Sequence, residues 1–156
     1  MTLMMALAAL GVGYAWWTEQ LTASGSIQTG SIDVKMENVA IVEEDPLQVG
    51  ECSFNLAGDG KEMNISISNA YPGYNCKPVF KLNNHGTVPA KVTSVKLLGA
   101  TEAIGVQASG ALADKTMLNP GISTPADFNI IVSKSAQQGS KYQFSILINV
   151  AQGNAP

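Results

Sequence analysis

Polar and apolar residues alternate with a period of two along most of the chain, and no long helical period interrupts them. Ile32, Val34 and Met36 alternate with Asp33, Lys35 and Glu37, the pattern of a strand with one face buried and one in water. Met63, Ile65 and Ile67 repeat it against Asn64, Ser66 and Ser68, and Phe80 and Leu82 continue it against Lys81 and Asn83. Residues 91–98 read as a further strand, and Phe128, Ile130 and Val132 mark another. In the clearest run Tyr142, Phe144, Ile146, Ile148 and Val150 alternate with Gln143, Ser145 and Asn149, with only Leu147 out of phase.

Turn signals separate these runs: Glu43-Glu44-Asp45-Pro46, Gly58-Asp59-Gly60, Tyr71-Pro72-Gly73-Tyr74, Asn83-Asn84-His85-Gly86 and Asn119-Pro120-Gly121. Seven or so short strands with frequent turns predict an all-β fold. The expected form is a two-sheet antiparallel β-sandwich of jelly-roll or immunoglobulin-like type over residues 28–156. Residues 101–115 are rich in Ala and Gly and read as one short helix or a loop excursion.

Residues 1–15 are small and apolar, and they run with almost no spacer into Trp16-Trp17-Thr18-Glu19. As a signal peptide the segment has an apolar centre and a small-residue end at Gly13-Tyr14-Ala15, but no basic leading region, as if its start were truncated. As a transmembrane helix it barely reaches the lower length limit even with both tryptophans, which would suit an interfacial belt. The third reading is a retained apolar helix in the core of an assembly, as in pilin-type subunits. Met1-Thr2-Leu3 suits a processed pilin start, whereas Met5 stands where pilins carry Glu.

Residues 16–27 read as an extended N-terminal strand. At about 3.3 Å per residue its stretch from Trp16 to Ser26 would span more than about 30 Å, enough to run along a neighbouring domain. Trp17, Leu21, Ala23 and Ile27 share one face, with Glu19 as the exception, and Trp16 or Trp17 is the expected anchor in a partner's pocket. Pairing of the same strand within its own domain is the alternative.

At 156 residues the chain suits a single domain. Charged residues are only 13% of it, about half the usual share of about 25%. A net charge of -3 with nine Lys plus Arg leaves no basic patch for phosphates, so nucleic acid is not an expected partner. The two cysteines, Cys52 and Cys76, form a disulfide in the favoured reading of an exported chain; two buried free thiols are the alternative. Closing that loop would contribute about 3 kcal/mol by chain entropy.

Four landmarks fall in order: Tyr14-Ala15-Trp16-Trp17-Thr18, then Gln28-Thr29-Gly30-Ser31-Ile32-Asp33-Val34, then Tyr71-Pro72-Gly73, then Asn84-His85-Gly86-Thr87-Val88-Pro89-Ala90-Lys91-Val92. Together they resemble the TasA/camelysin family of secreted biofilm-fibre proteins over nearly the whole chain. Tyr142-Gln143-Phe144-Ser145-Ile146 stands where that family ends with an aromatic strand. The resemblance implies a jelly-roll sandwich whose N-terminal segment leaves its own fold and completes the next subunit's sheet, which is donor-strand complementation. It also implies an extracellular, cell-surface filament: a helical homopolymer, with cell-envelope or matrix components as further partners.

Camelysin-like proteins have been classed with metalloproteases, but the sequence carries no His-Glu-x-x-His. Its one histidine, His85, falls in an expected exposed turn, so no Ser-His-Asp set can be assembled. Asp59 between glycines and the cluster Glu43, Glu44 and Asp45 read as a hairpin turn and a solvated loop, not as metal cages. Asn64-Ile65-Ser66 is a glycosylation sequon on a polar strand face, read as a chance occurrence. The sequence therefore predicts no catalytic or metal residues, no cofactor and no small-molecule substrate. It predicts a filament subunit rather than an enzyme; the rival is a monomeric cell-surface anchored binding module using its loops.

Overall fold

A computed structural model describes residues 29–154 except 46, 114 and 115. The expected hydrophobic segment (1–15) and donor strand (16–27), with Trp16, Trp17, Leu21, Ala23 and Ile27, lie outside the described residues. Nine strands are present: β1 (Val34–Glu44), β2 (Glu51–Leu56), β3 (Glu62–Ala70), β4 (Asn75–Asn84), β5 (Ala90–Leu98), β6 (Ile104–Gly110), β7 (Met117–Leu118), β8 (Ser123–Val132) and β9 (Ser140–Gln152). They form two antiparallel sheets, one ordered β1-β4-β8-β6 and the other β2-β3-β9-β5-β7. Only the β2–β3 connection stays within a sheet. Every other connection between described strands crosses from one sheet to the other, which produces a sandwich.

Alternation decides which side chains face inward. Ala126, Phe128, Ile130 and Val132 of β8 are buried, as are Met63, Ile65 and Ile67 of β3 and Phe144, Ile146 and Ile148 of β9. Each fully buried side chain of this size contributes about 1.5 to 3 kcal/mol by leaving water. Phe80 and Phe128 pack across the β4–β8 ladder with ring centroids 5.3 Å apart. Leu147, out of phase in the sequence only by its apolar character, pairs with Glu62 and Lys96 on the outer face.

Several expectations are corrected. Residues 104–110, read as a helix or loop, form β6 and pair with β8 from Ile104↔Val132 to Gly110↔Ala126. Its small residues hid it, because an edge strand needs only a few modest apolar contacts to stay paired. Residues 51–56, left unassigned, form β2 against β3. Glu43 and Glu44, expected in a turn, extend β1 opposite Cys76 and Asn75. The bulge between Glu37 and Ala40, with Asn38 at φ 52°, breaks the period there. Asn83 and Asn84 likewise belong to β4, and the turn starts at His85.

Cys52 and Cys76 are bonded, with their Cα atoms 6.3 Å apart. Cys52 lies on β2 and Cys76 on β4, so the bond joins the two sheets. Through the turn, residues 85–88 run beside residues 31–33: His85 N donates to Asp33 O at 2.7 Å and Thr87 N to Ser31 O at 2.9 Å. Gly86 is required here by space, since a Cβ would stand 2.3 Å from the Ser31 carbonyl oxygen.

Candidate functional site

Strand β7 has two residues and pairs only with Ala90 and Lys91. From residue 92 to 98, β5 has β9 on one side and no described strand on the other. A row of backbone donors and acceptors left this way is a template for a further strand. Apolar side chains accompany it: Leu97 is 40% exposed and Leu98 47%. Leu97 stands opposite Ile146 and Leu98 opposite Ser145, so consecutive leucines project on opposite sides of the same open edge.

Where the chain leaves β5 for β6, a cleft of about 190 Å³ is lined by residues that include Ala100, Ile104, Tyr142 and Phe144. A shallower groove of about 460 Å³ crosses the outer face of β2, β3 and β9 past Asn64, Ser66, Gln143 and Ser145 and ends on Leu98. Pockets of mixed polar and apolar lining thus flank the open edge at its far end. Two of the other edge strands, β1 and β2, are better guarded. β1 carries the bulge and the charges of Lys35 and Glu37, and β2 carries Glu51 and is tied by the disulfide.

The first described residues approach the other end of this edge. Ser31 N donates to Thr87 Oγ1 at 2.9 Å, and a Cβ on Gly30 would stand 2.0 Å from Val88 Cγ1. Val88 precedes β5 by two residues, so residues 30 and 31 lie beside the chain that leads into β5.

The chemistry-bearing residues of the sequence have structural occupations. His85 is exposed, and its Nε2 lies 2.6 Å from Glu37 Oε1. That bond, with the Asn83 amide and the charges of His85 and Lys35, holds the Glu37 carboxyl below the usual range against a small opposing effect of burial. Asp45 organises its own loop. Its Oδ1 accepts from Leu47 N, Gln48 N and the Tyr71 hydroxyl at 3.1, 2.9 and 2.7 Å, and its Oδ2 accepts from Gly50 N at 2.8 Å. Asp59 accepts from Lys61 N in its turn. Among the described residues no group of three His, Cys, Asp or Glu could hold a metal ion, and no helix is long and apolar enough to cross a membrane.

The open edge could not be read from the sequence, because it depends on how short β7 is. The Asp45 hub had a signal, since Asp before Pro and Leu is an Asx-turn pattern. Comparison with protein-family models, curated proteins and solved structures finds no match.

Proposed function

We propose that this chain is the structural subunit of an extracellular filament, polymerising when residues 16–27 of one copy add as a strand to the open edge of β5 in the next. The observation that carries this reading is that edge, residues 92–98, with Leu97 and Leu98 exposed beside it. An added strand supplies main-chain hydrogen bonds, and pockets for alternate side chains set its register. Trp16, Trp17, Leu21, Ala23 and Ile27 are the side chains the donor offers. Covering Leu97 and Leu98 would contribute on the order of 1 kcal/mol each. The disulfide fits an oxidising compartment. No turnover is involved.

Cryo-electron microscopy of the protein as it leaves the cell surface tests the reading. Helical filaments with residues 16–27 of one subunit along β5 of the next are expected, and deletion of that segment should abolish them. Dispersed single domains, with the segment paired inside its own fold, would instead favour a monomeric cell-surface binding module.

A further inference from the structure

Strand β6 ends the four-stranded sheet, with β8 on one side and no described strand on the other. Its pairing with β8 is unbroken from Ile104 to Gly110, and that stretch holds no charged residue and no proline. Charge, proline and a bulge, the usual guards of a sheet edge, are all missing. By contrast β1, β2 and β5 carry charges such as Lys35, Glu51 and Lys96.

The backbone of this edge is complementary to itself. Ser133 N donates to Ala103 O and Ala111 N to Pro125 O. In the alternating antiparallel pattern the odd-numbered residues of β6 therefore bond to β8, and the even-numbered ones turn their N–H and C=O groups outward. Two of those outward groups are occupied: Ile104 N donates to Thr101 O, and Gly110 O accepts from Ala113 N. The groups left open are Ile104 O, both groups of Val106 and Ala108, and Gly110 N. A second β6 laid antiparallel, with Gln107 opposite Gln107 on a two-fold axis, sets Val106 against Ala108 and Ile104 against Gly110. Every open donor then meets an open acceptor, and the two occupied groups fall opposite each other.

We propose that β6 is an interface with a second copy of this chain, the two edges joining antiparallel about Gln107 into one continuous sheet. Such a contact is isologous, as a two-fold dimer requires. Val106 and Ala108, partly buried against the core, cover each other across it. Gln107 is exposed on the outer face between Gly105 and Ser109, whose small side chains leave room for its twin. Two carboxamides can donate to and accept from each other. No like charges are brought together, as they would be at an edge bearing Lys or Glu. The contact lies on the sheet that lacks β5, so it does not depend on strand addition at the β5 edge.

Oxidative cross-linking of full-length single-cysteine variants tests the register. The chain's two cysteines are bonded to each other, so an introduced thiol is the only free one. Across the axis the Gln107 pair lies outside the hydrogen-bonded pairs, where Cα atoms stand about 4.5 Å apart, within disulfide reach. Ser109 faces Gly105 of the other copy rather than its own twin. Gln107→Cys should therefore form a covalent dimer at least about tenfold faster than Ser109→Cys. Mixing Gly105→Cys with Ser109→Cys should restore the fast rate. Gly105 accepts the side chain, since a Cβ there meets only Ile131 O, at 3.7 Å. Adding Ala108→Pro to Gln107→Cys removes an N–H that faces away from β8, so it should abolish the fast dimer and leave the β8 ladder intact. Should that variant fail to fold, the three cysteine variants decide alone. Equal rates for Gln107→Cys and Ser109→Cys, or no dimer at all, would overturn the proposal. Capture of Gln107→Cys by a cysteine placed at Thr22, instead of the symmetric dimer, would also overturn it and give this edge to the N-terminal segment.

Discussion

Asn84 on β4 donates through Nδ2 to the Leu118 carbonyl oxygen of β7, 2.8 Å away in the opposite sheet. The same amide reaches Val88 O at 2.9 Å, and Asn84 Oδ1 accepts from Gly86 N at 2.9 Å. This fully buried carboxamide therefore satisfies three backbone groups around the start of β5.

Asn84→Leu should leave one donor and two acceptors unpaired in the interior. A loss of about 3 kcal/mol or more is expected from the desolvation of those groups, measured by equilibrium unfolding in urea. A change below about 1 kcal/mol would show that water enters and replaces the amide.

The Cys52–Cys76 bond joins the two sheets, so its loss acts on the whole sandwich. Cys52→Ala with Cys76→Ala should lower stability by about 2 to 5 kcal/mol, seen as a lower melting temperature. Reductant should shift the wild type in the same direction and leave the double variant unmoved.

Asp45 links pH to the loop 45–50. Burial alone would raise its pKa, but the bonds from Tyr71, Gly50, Leu47 and Gln48 outweigh that and hold it below the ordinary carboxylate value. A lowered folded pKa gives stability that is fully present above the unfolded value, near pH 4, and is lost as the pH falls through the folded one. Amide protection at Gln48 and Gly50 should therefore fall in acid, with no such dependence in Asp45→Ala. Tyr71 mirrors this at high pH. Burial and the neighbouring Asp45 raise its pKa, so its contribution is complete below about pH 10 and lost as the pH rises through the folded value.

Leu98→Lys places a charge beside the open edge. Because Leu98 is already half exposed, monomer stability should change by no more than about 0.5 kcal/mol. If the proposed strand addition occurs at this edge, filament yield counted in negative-stain images should drop sharply, since charges on an edge strand oppose pairing with another chain. Unchanged yield would place the acceptor elsewhere.

The strands with large apolar residues in strict alternation, β3, β8 and β9, could be read directly from the sequence. β1 was legible only as far as its bulge, because Asn38 in a left-handed conformation shifts the phase and makes residues 43 and 44 look like part of a turn. β6 was hidden by its own composition: Gly105, Ala108 and Ser109 carry little apolar signal, and pairing with β8 alone makes them a strand. The open edge was not legible either. It exists because β7 stops after two residues, and nothing in Met117-Leu118 says where pairing ends.

Strand β9 lies between β3 and β5 in the five-stranded sheet, yet it follows both by many residues in the chain. Whenever the chain folds, β3 and β5 can be joined only through a strand distant from both in sequence, a pairing that costs loop-closure entropy and is slow to form. The edge of β5 acquires its shape only when that strand is in place. Completion of the five-stranded sheet thus waits for the last strand of the described chain, and without it β5 has no partner over residues 94–98.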